Sequence, residues 1–293
     1  MFIQQLVNGL TLGSTYAIFA IGYTLILGVL GIINMAHGEI FMFGAYTALI
    51  LVSRYQVNIF LALLVAMVVG AILGFLLEFL AFRPLRRANV SHLAPLISTI
   101  GISLILENLA LNLFGPQTHA FPKVLDDYAF SIGDVNVSKV QVVSFLTAII
   151  LMVIISYVIN KTKVGKGIRA TSENPETAEL LGINTSRTIT MTVMLASALG
   201  AASGVLMGLT YDAISPTMGG QMSFKGLAVV ILGGLGNING AVIGGFILGI
   251  AEVFTVAYGA SAWRDAIAFI LIIILLFFRP QGLFGGIKKG GRP

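Results

Sequence analysis

Residues 27–44 read LGVLGIINMAHGEIFMFG, and a shift of 205 positions lays residues 232–249, LGGLGNINGAVIGGFILG, beneath them with nine identities in eighteen positions. The shared order is ungapped: Leu27/Leu232, Gly28/Gly233, Leu30/Leu235, Gly31/Gly236, Ile33/Ile238 and Asn34/Asn239, then Ala36/Ala241, Phe41/Phe246 and Gly44/Gly249. Shared Gly and Leu are common in an apolar chain, but the order L-G-x-L-G-x-I-N is harder to reach by chance. Glycine-interrupted apolar segments that recur in two parts of a chain are the place to look for a functional path through a membrane protein.

The composition sets the environment. Of 293 residues, 57% are hydrophobic and only 10% charged, against about 25% charged in soluble domains; the mean hydropathy is +0.97. This is the composition of an integral membrane protein. Apolar runs fall at about 6–30, 36–53, 58–81, 93–114, 140–160, 188–211, 226–258 and 263–278, each long enough to be weighed against the roughly 20 residues a spanning helix needs. They lack the period-2 alternation of a membrane β-barrel. The expected fold is an all-α polytopic bundle of about eight membrane segments with two Gly-rich, internally repeated hairpins. Residues 1–293 then form one transmembrane domain. The net charge of +5 does not point to nucleic acid, because the basic residues lie in short loops and read as topology signals. With no cysteine, neither disulfides nor thiol chemistry are available. The start, MFIQQLVNGL, lacks a basic leader and a small-residue cleavage site, so the first run reads as a retained helix.

Basic residues orient the bundle. Arg83, Arg86 and Arg87 fall in one loop, Lys161, Lys163, Lys166, Arg169 and Arg187 in another, and Arg279, Lys288, Lys289 and Arg292 in the tail; all three should be cytoplasmic. Parity then puts 115–139 outside and 161–187 inside, and makes 226–258 a hairpin bent near GGLGNING. The first copy of the repeat, by analogy, bends near LGVLGIIN with the N-terminus outside; the alternative is an internal N-terminus with 31–53 re-entrant. Within 115–139, SIGDVNV alternates around Gly-Asp and suggests a β-hairpin. With Asp126, Asp127 and Asp134, this segment is either a docking surface or a connector. The four-residue spacings Ala196, Gly200, Gly204, Gly208 and Gly9, Gly13, Ala17 are those of close helix packing in lipid.

Intramembrane ionisable groups need partners, water or a cavity, which singles out Glu39, Glu78, Glu107 and Glu252. His37, Gly38 and Glu39 follow the first repeat directly. They can line a polar path, bind an ammonium group or relay protons, or Glu39 can simply support the N-terminus of the next helix. The second copy has Val242, Ile243 and Gly244 instead, which favours the structural role. Asn34 and Asn239 are kept in both copies where broken backbone needs hydrogen bonds, or where solute passes; Asn237 adds polarity to one copy only. Asn34, His37, Gly38, Glu39, Gly236, Asn237 and Asn239 are therefore the candidate path or hinge residues.

The segment 161–187 carries the clearest local code. Asn174 is a good N-cap, Pro175 suits the first helical position, Glu176 and Glu179 the early turns and Gly182 the C′ position. A two-turn helix is predicted there, with Ala178, Leu181 and Ile183 as a small apolar face for the membrane interface or a partner subunit. The pattern Gly165, Arg169, Ala170, Asn174, Ala178, Gly182, Ile183 resembles the coupling segment of ABC-importer permeases. With NGLTLGSTYAIFAIGYTLILGVLGIINMAHGEIFMFGAY at the front and FKGLAVVILGGLGNINGAVIGG near the back, the chain resembles the branched-chain amino-acid permease family of the Liv type over nearly its whole length.

That resemblance implies the bacterial inner membrane, a second homologous permease subunit, two cytoplasmic ATPases and a periplasmic solute-binding protein. It also implies that residues 169–182 dock on the ATPase and that the Gly-rich hairpins border the path. No G-x-x-x-x-G-K-[ST] occurs, since GKG at 165–167 and GIKKGG at 286–291 fail the spacing. ATP and Mg are thus expected on the partner ATPase and no cofactor or metal on this chain. No nucleophile–base constellation is present, and His37, His92 and His119 lie in separate segments, so an enzyme has little support. A urea or short-amide permease of the same scaffold and an ion-coupled transporter or channel using Glu39, His37 and Glu252 are the other readings.

Overall fold

The computed structural model describes residues 1–87, 93–124, 130–132, 135–259 and 261–285. His92, Asp126, Asp127, Asp134, Lys288, Lys289 and Arg292 lie outside the described residues. In chain order the elements are α1 (Phe2–Leu30), α2 (His37–Tyr55), α3 (Ile59–Leu77), a π-helical turn (Glu78–Phe82), α4 (Arg83–Arg87), α5 (Leu93–Phe114), β1 (His119–Ala120), β2 (Phe130–Ile132), β3 (Val135–Val137), α6 (Lys139–Lys161), α7 (Lys163–Glu173), α8 (Pro175–Leu180), α9 (Thr185–Tyr211), β4 (Ala213–Ile214), α10 (Met218–Gly233), α11 (Ile238–Ala257), a 3-10 turn (Ser261–Trp263) and α12 (Ala266–Phe278). Among the described residues six helical stretches are long and apolar enough to cross a bilayer: Phe2–Leu30, Ile59–Arg86, Leu93–Phe114, Lys139–Lys161, Thr185–Tyr211 and Ile238–Ala257.

Helix α1 is the axis of the bundle. It has 29 residues, about 44 Å at 1.5 Å per residue, and is buried along most of its length, whereas α5 is mostly exposed. Its main partner is α11, running antiparallel. A Cβ added at Gly9 would stand 2.8 Å from Ile250 Cα, and one at Gly13 the same distance from Phe246 Cα. The small-residue stripe is there because two backbones touch. The α9 stripe does the same against α2 and α3, with Gly200 against His37 and Gly204 against Phe41.

The two copies of the repeat fold differently. Residues 234–237 make a tight turn, with Gly234 and Gly236 at positive φ, and α10 packs back on α11 as a hairpin. In the first copy α1 ends at Gly31, also at positive φ, whose N–H donates to Leu27 O. The chain then runs without helix from 31 to 36. His37 lies against Gly22 of α1 and Gly200 of α9; Gly22 is eight residues, about 12 Å, back from the end of α1. Helix α2 therefore begins at mid-depth and packs mainly on α9, α3 and α10, meeting α1 through the side chains of His37 and Phe41, so residues 27–44 are not a hairpin of two helices packed along their length. The start of α10 meets it from the opposite direction, Gly219 lying against Gly38 and Glu39.

The ends are closed by short polar devices. Ser138 forms a capping box with Gln141 at the start of α6, and Gln141 Nε2 donates to Asn8 Oδ1 at 2.7 Å, tying α6 to α1. The hairpin expected at SIGDVNV is present, Phe130 pairing with Val137 and Ile132 with Val135, while β1 pairs antiparallel with β4. At the other end Glu78, fully buried, is bound by Arg83 (3.1 Å) and Arg86 (2.7 Å).

Candidate functional site

The backbone between Gly31 and Gly38 has left regular structure inside a bundle, so each of its polar groups needs a partner. Asn34 Oδ1 accepts from Ala36 N at 3.1 Å, the backbone support expected of it. Thr99 Oγ1 of α5 accepts from Met35 N at 3.2 Å. Ser223 Oγ of α10 donates to Met35 O at 2.8 Å and accepts from Gly38 N at 3.1 Å. Gly38 is glycine because α10 presses on it: an added Cβ would lie 2.8 Å from the carbonyl carbon of Gly219. Thr99 and Ser223, neither of which stands out in the sequence, thus hold the break together.

His37 is fully buried, with ring centroids 4.7 Å from Phe19 and 5.6 Å from Tyr23 and no side-chain hydrogen-bond partner. It fills a space that Gly22 and Gly200 leave open. Glu39 sits in the first turn of α2 and Oε1 accepts from Ser103 Oγ at 3.1 Å. It does not cap the helix, whose N-cap position is Ala36. In the second copy the supporting asparagine is Asn237, whose Oδ1 accepts from Gly240 N at 3.0 Å and whose Nδ2 donates to Phe284 O at 2.9 Å. Asn239 is exposed and does neither. The backbone support expected of Asn239 falls to Asn237 instead, because α11 already begins at Ile238, which makes 237 the cap. Gly236, at positive φ, makes the turn before that cap.

The strongest concentration of charge lies elsewhere. Glu252 of α11, buried, accepts from Tyr16 Oη of α1 at 2.7 Å and Lys225 Nζ of α10 at 2.9 Å, and pairs with Arg264 Nε. Lys225 also reaches Asp265 Oδ1 at 2.8 Å, and Arg264 donates to Tyr211 Oη with its guanidinium 4.8 Å from that ring's centroid. A buried carboxylate is tolerable only when paired and hydrogen-bonded, and Glu252 is both. The hydrogen bond from Lys225 holds the Asp265 carboxyl, outside the helices, below the usual carboxylate range. Two cavities of ≈ 410 and ≈ 290 Å³ flank this cluster, and Tyr211 and Arg264 line both. Sequence singles out Glu252 alone; Lys225, a lone cation beside an apolar run, and the adjacent Arg264–Asp265 were the available signals. Among the described residues no three His, Asp or Glu side chains converge as a metal site.

The 161–187 segment is two helices, not one. Helix α7 is capped by Thr162, whose Oγ1 accepts from Gly165 N at 3.1 Å, and Gly165 packs against Val158 and Ile159 of α6. Arg169 Nη1 donates to Asn160 Oδ1 at 3.3 Å, and Ala170 is half-buried. Asn174 caps α8 by accepting from Thr177 N at 2.9 Å, Pro175 opens it and Gly182, φ +83, follows its end. Ala178 is buried at 2% exposure, while Leu180 and Leu181 are 88% and 75% exposed. The free apolar surface is thus the leucine pair, not Ala178.

Six membrane-length helices around a glycine-lined axis define a multi-pass helical membrane protein. Residues 5–276 match the family described as the permease component of the branched-chain amino acid transport system. The chain is 37% identical to the high-affinity branched-chain amino acid transport system permease protein BraD of Pseudomonas aeruginosa, over 97% of this chain and 96% of that protein. It is 37% identical to the corresponding protein LivH of Escherichia coli K12 over the same shares, and 32% identical to a probable branched-chain amino acid transport permease protein LivH of Methanocaldococcus jannaschii, over 92% of this chain and 88% of that one. No solved structure matches the chain. The chain belongs to the family of branched-chain amino acid transport permease components.

Proposed function

We propose that the chain is a permease subunit of an ATP-binding-cassette importer for branched-chain amino acids in a bacterial cytoplasmic membrane. It pairs with a second, homologous permease subunit, two cytoplasmic ATPases that bind ATP and Mg, and a periplasmic solute-binding protein. The chain is a single permease domain of about eight membrane segments, the six long helices being supplemented by shorter apolar ones. Its repeated Gly-rich stretches border the path, residues 115–139 face the binding protein and 161–187 the cytoplasm.

The observation that carries this reading is the shape of α7 and α8. Gly165, Arg169, Asn174 and Gly182 fix a capped helix pair at the end of the bundle that presents Leu180 and Leu181, exposed, on a rigid backbone. Such a knob needs a groove on another protein. In vesicles holding the full assembly, ATP and the binding protein should drive uptake of leucine, isoleucine and valine. Gly182→Trp, which forces a bulky residue to φ > 0 beside the leucines, should abolish uptake and the binding protein's stimulation of ATP hydrolysis while leaving the permease pair intact on gel filtration. Normal stimulation in that variant would count against docking, and uptake of urea in place of amino acids would replace the solute.

A further inference from the structure

Resting on the permease reading, we infer that the ≈ 290 Å³ cavity between α9, α10 and the 261–265 turn is a way station for a zwitterionic amino acid with an apolar side chain. Its walls have two characters. Lys225, Arg264 and Asp265 line it with charge, and Phe41, Met207, Met218 and Met222 with apolar surface. Methionine walls adapt to differently branched side chains, while the charged side is suited to a head group.

The charges are balanced: Lys225 and Arg264 against Glu252 and Asp265. Glu252 is buried at 1% side-chain exposure behind both cations, while Asp265 is 68% exposed on the cavity wall. Lys225 therefore has one fixed partner, Glu252, and one exchangeable partner, Asp265. An amino acid entering head first breaks the Lys225–Asp265 contact and replaces it with two: its carboxylate on Lys225 and its ammonium on Asp265. The site stays neutral. An ammonium without a carboxylate strands Lys225, which is 14% exposed, and is strongly penalised; a carboxylate without an ammonium leaves the 68% exposed Asp265 to water and forfeits only its contact.

The test is direct binding to the assembled transporter in detergent, without the binding protein, with tritiated leucine as probe. 4-Methylpentanoate lacks the ammonium and 3-methylbutylamine the carboxylate. 3-Methylbutylamine should compete about 100-fold less well than unlabelled leucine, and 4-methylpentanoate about 3-fold less well. Asp265→Asn should weaken leucine by about 3-fold and bring 4-methylpentanoate level with it, a change of selectivity that loss of structure alone would not produce. Met222→Trp, which adds bulk at a buried lining position outside the ion pairs, should remove binding. Equal competition by either analogue, an equal loss of both ligands in the asparagine variant, or unchanged binding in the tryptophan variant would overturn the site. So would ATP-driven leucine uptake by an assembly that binds no leucine directly, which would leave the permease reading standing. Absence of uptake by the complete assembly would instead remove the permease reading itself.

Discussion

Ser223→Ala isolates the clamp that holds the break before α2. Ser223 is 2% exposed, and its one hydroxyl serves two backbone groups, donating to Met35 O and accepting from Gly38 N–H. Alanine removes both bonds and supplies nothing in return, and no other donor or acceptor of α10 reaches them. A lost bond is worth about 1 kcal/mol, and a stranded buried backbone group about 1–3 kcal/mol. Allowing for partial relaxation, the break should open more easily by about 2–4 kcal/mol. At the middle of that range the Gly38 amide should exchange with deuterium about 100-fold faster, since each 1.4 kcal/mol is tenfold. Peptide-resolved exchange of residues 35–40 in lipid nanodiscs reads this. Thr47→Ala is the control, because its hydroxyl only back-bonds Phe43 O within α2 at 2.7 Å and its loss should stay within about 0.5 kcal/mol. If exchange at Gly38 in Ser223→Ala rises less than threefold, or no more than in the control, the clamp is not what holds the break.

Asn237→Ala should destabilise by about 1 kcal/mol as a lost cap and loosen residues 283–285, whereas Asn239→Ala should be nearly neutral; thermal unfolding in detergent gives the ranking, and equal effects would contradict the assignment. Arg83→Ala with Arg86→Ala leaves Glu78 buried and unpaired, which should lower stability by about 3–5 kcal/mol. Glu78→Gln leaves two arginines that are 27% and 25% exposed and can turn to water, so it should be the milder change in the same assay.

The long helices were legible because apolar length is a local property. So was α8, whose cap, proline and terminal glycine lie within nine residues of one another, and so was the hairpin at 130–137. Helix α7 escaped because its cap is a threonine and its packing residue a glycine, both weak signals alone. The charged cluster escaped for a different reason. Tyr16, Lys225, Glu252 and Arg264 are brought together only when α1, α10 and α11 pack, and a spacing of 209 residues between Tyr16 and Lys225 leaves no periodicity to read. Likewise nothing local says that His37 fills the space beside Gly200.

The asymmetry of the repeat now has a physical cause. Positions 37–39 and 242–244 align in sequence, yet only the first set is polar. In the first copy they open a helix at mid-depth, where the N-termini of α2 and α10 converge, Glu39 lying against Gly38's neighbour in space, Gly219. Two helix N-termini concentrate positive potential, and a carboxylate between them opposes it. In the second copy the helix has already started at Ile238, at the end of the bundle, where Asn237 and the carbonyl of Phe284 complete the turn. Position 244 then lies nearly two turns inside α11 and faces α10, where even a Cβ would come within 2.6 Å of Val229 O. A carboxylate has no space there and no positive helix ends to meet. The loss of charge in the second copy therefore follows from where its helix starts, and the polar trio of the first copy is the mark of a helix that begins inside the bundle.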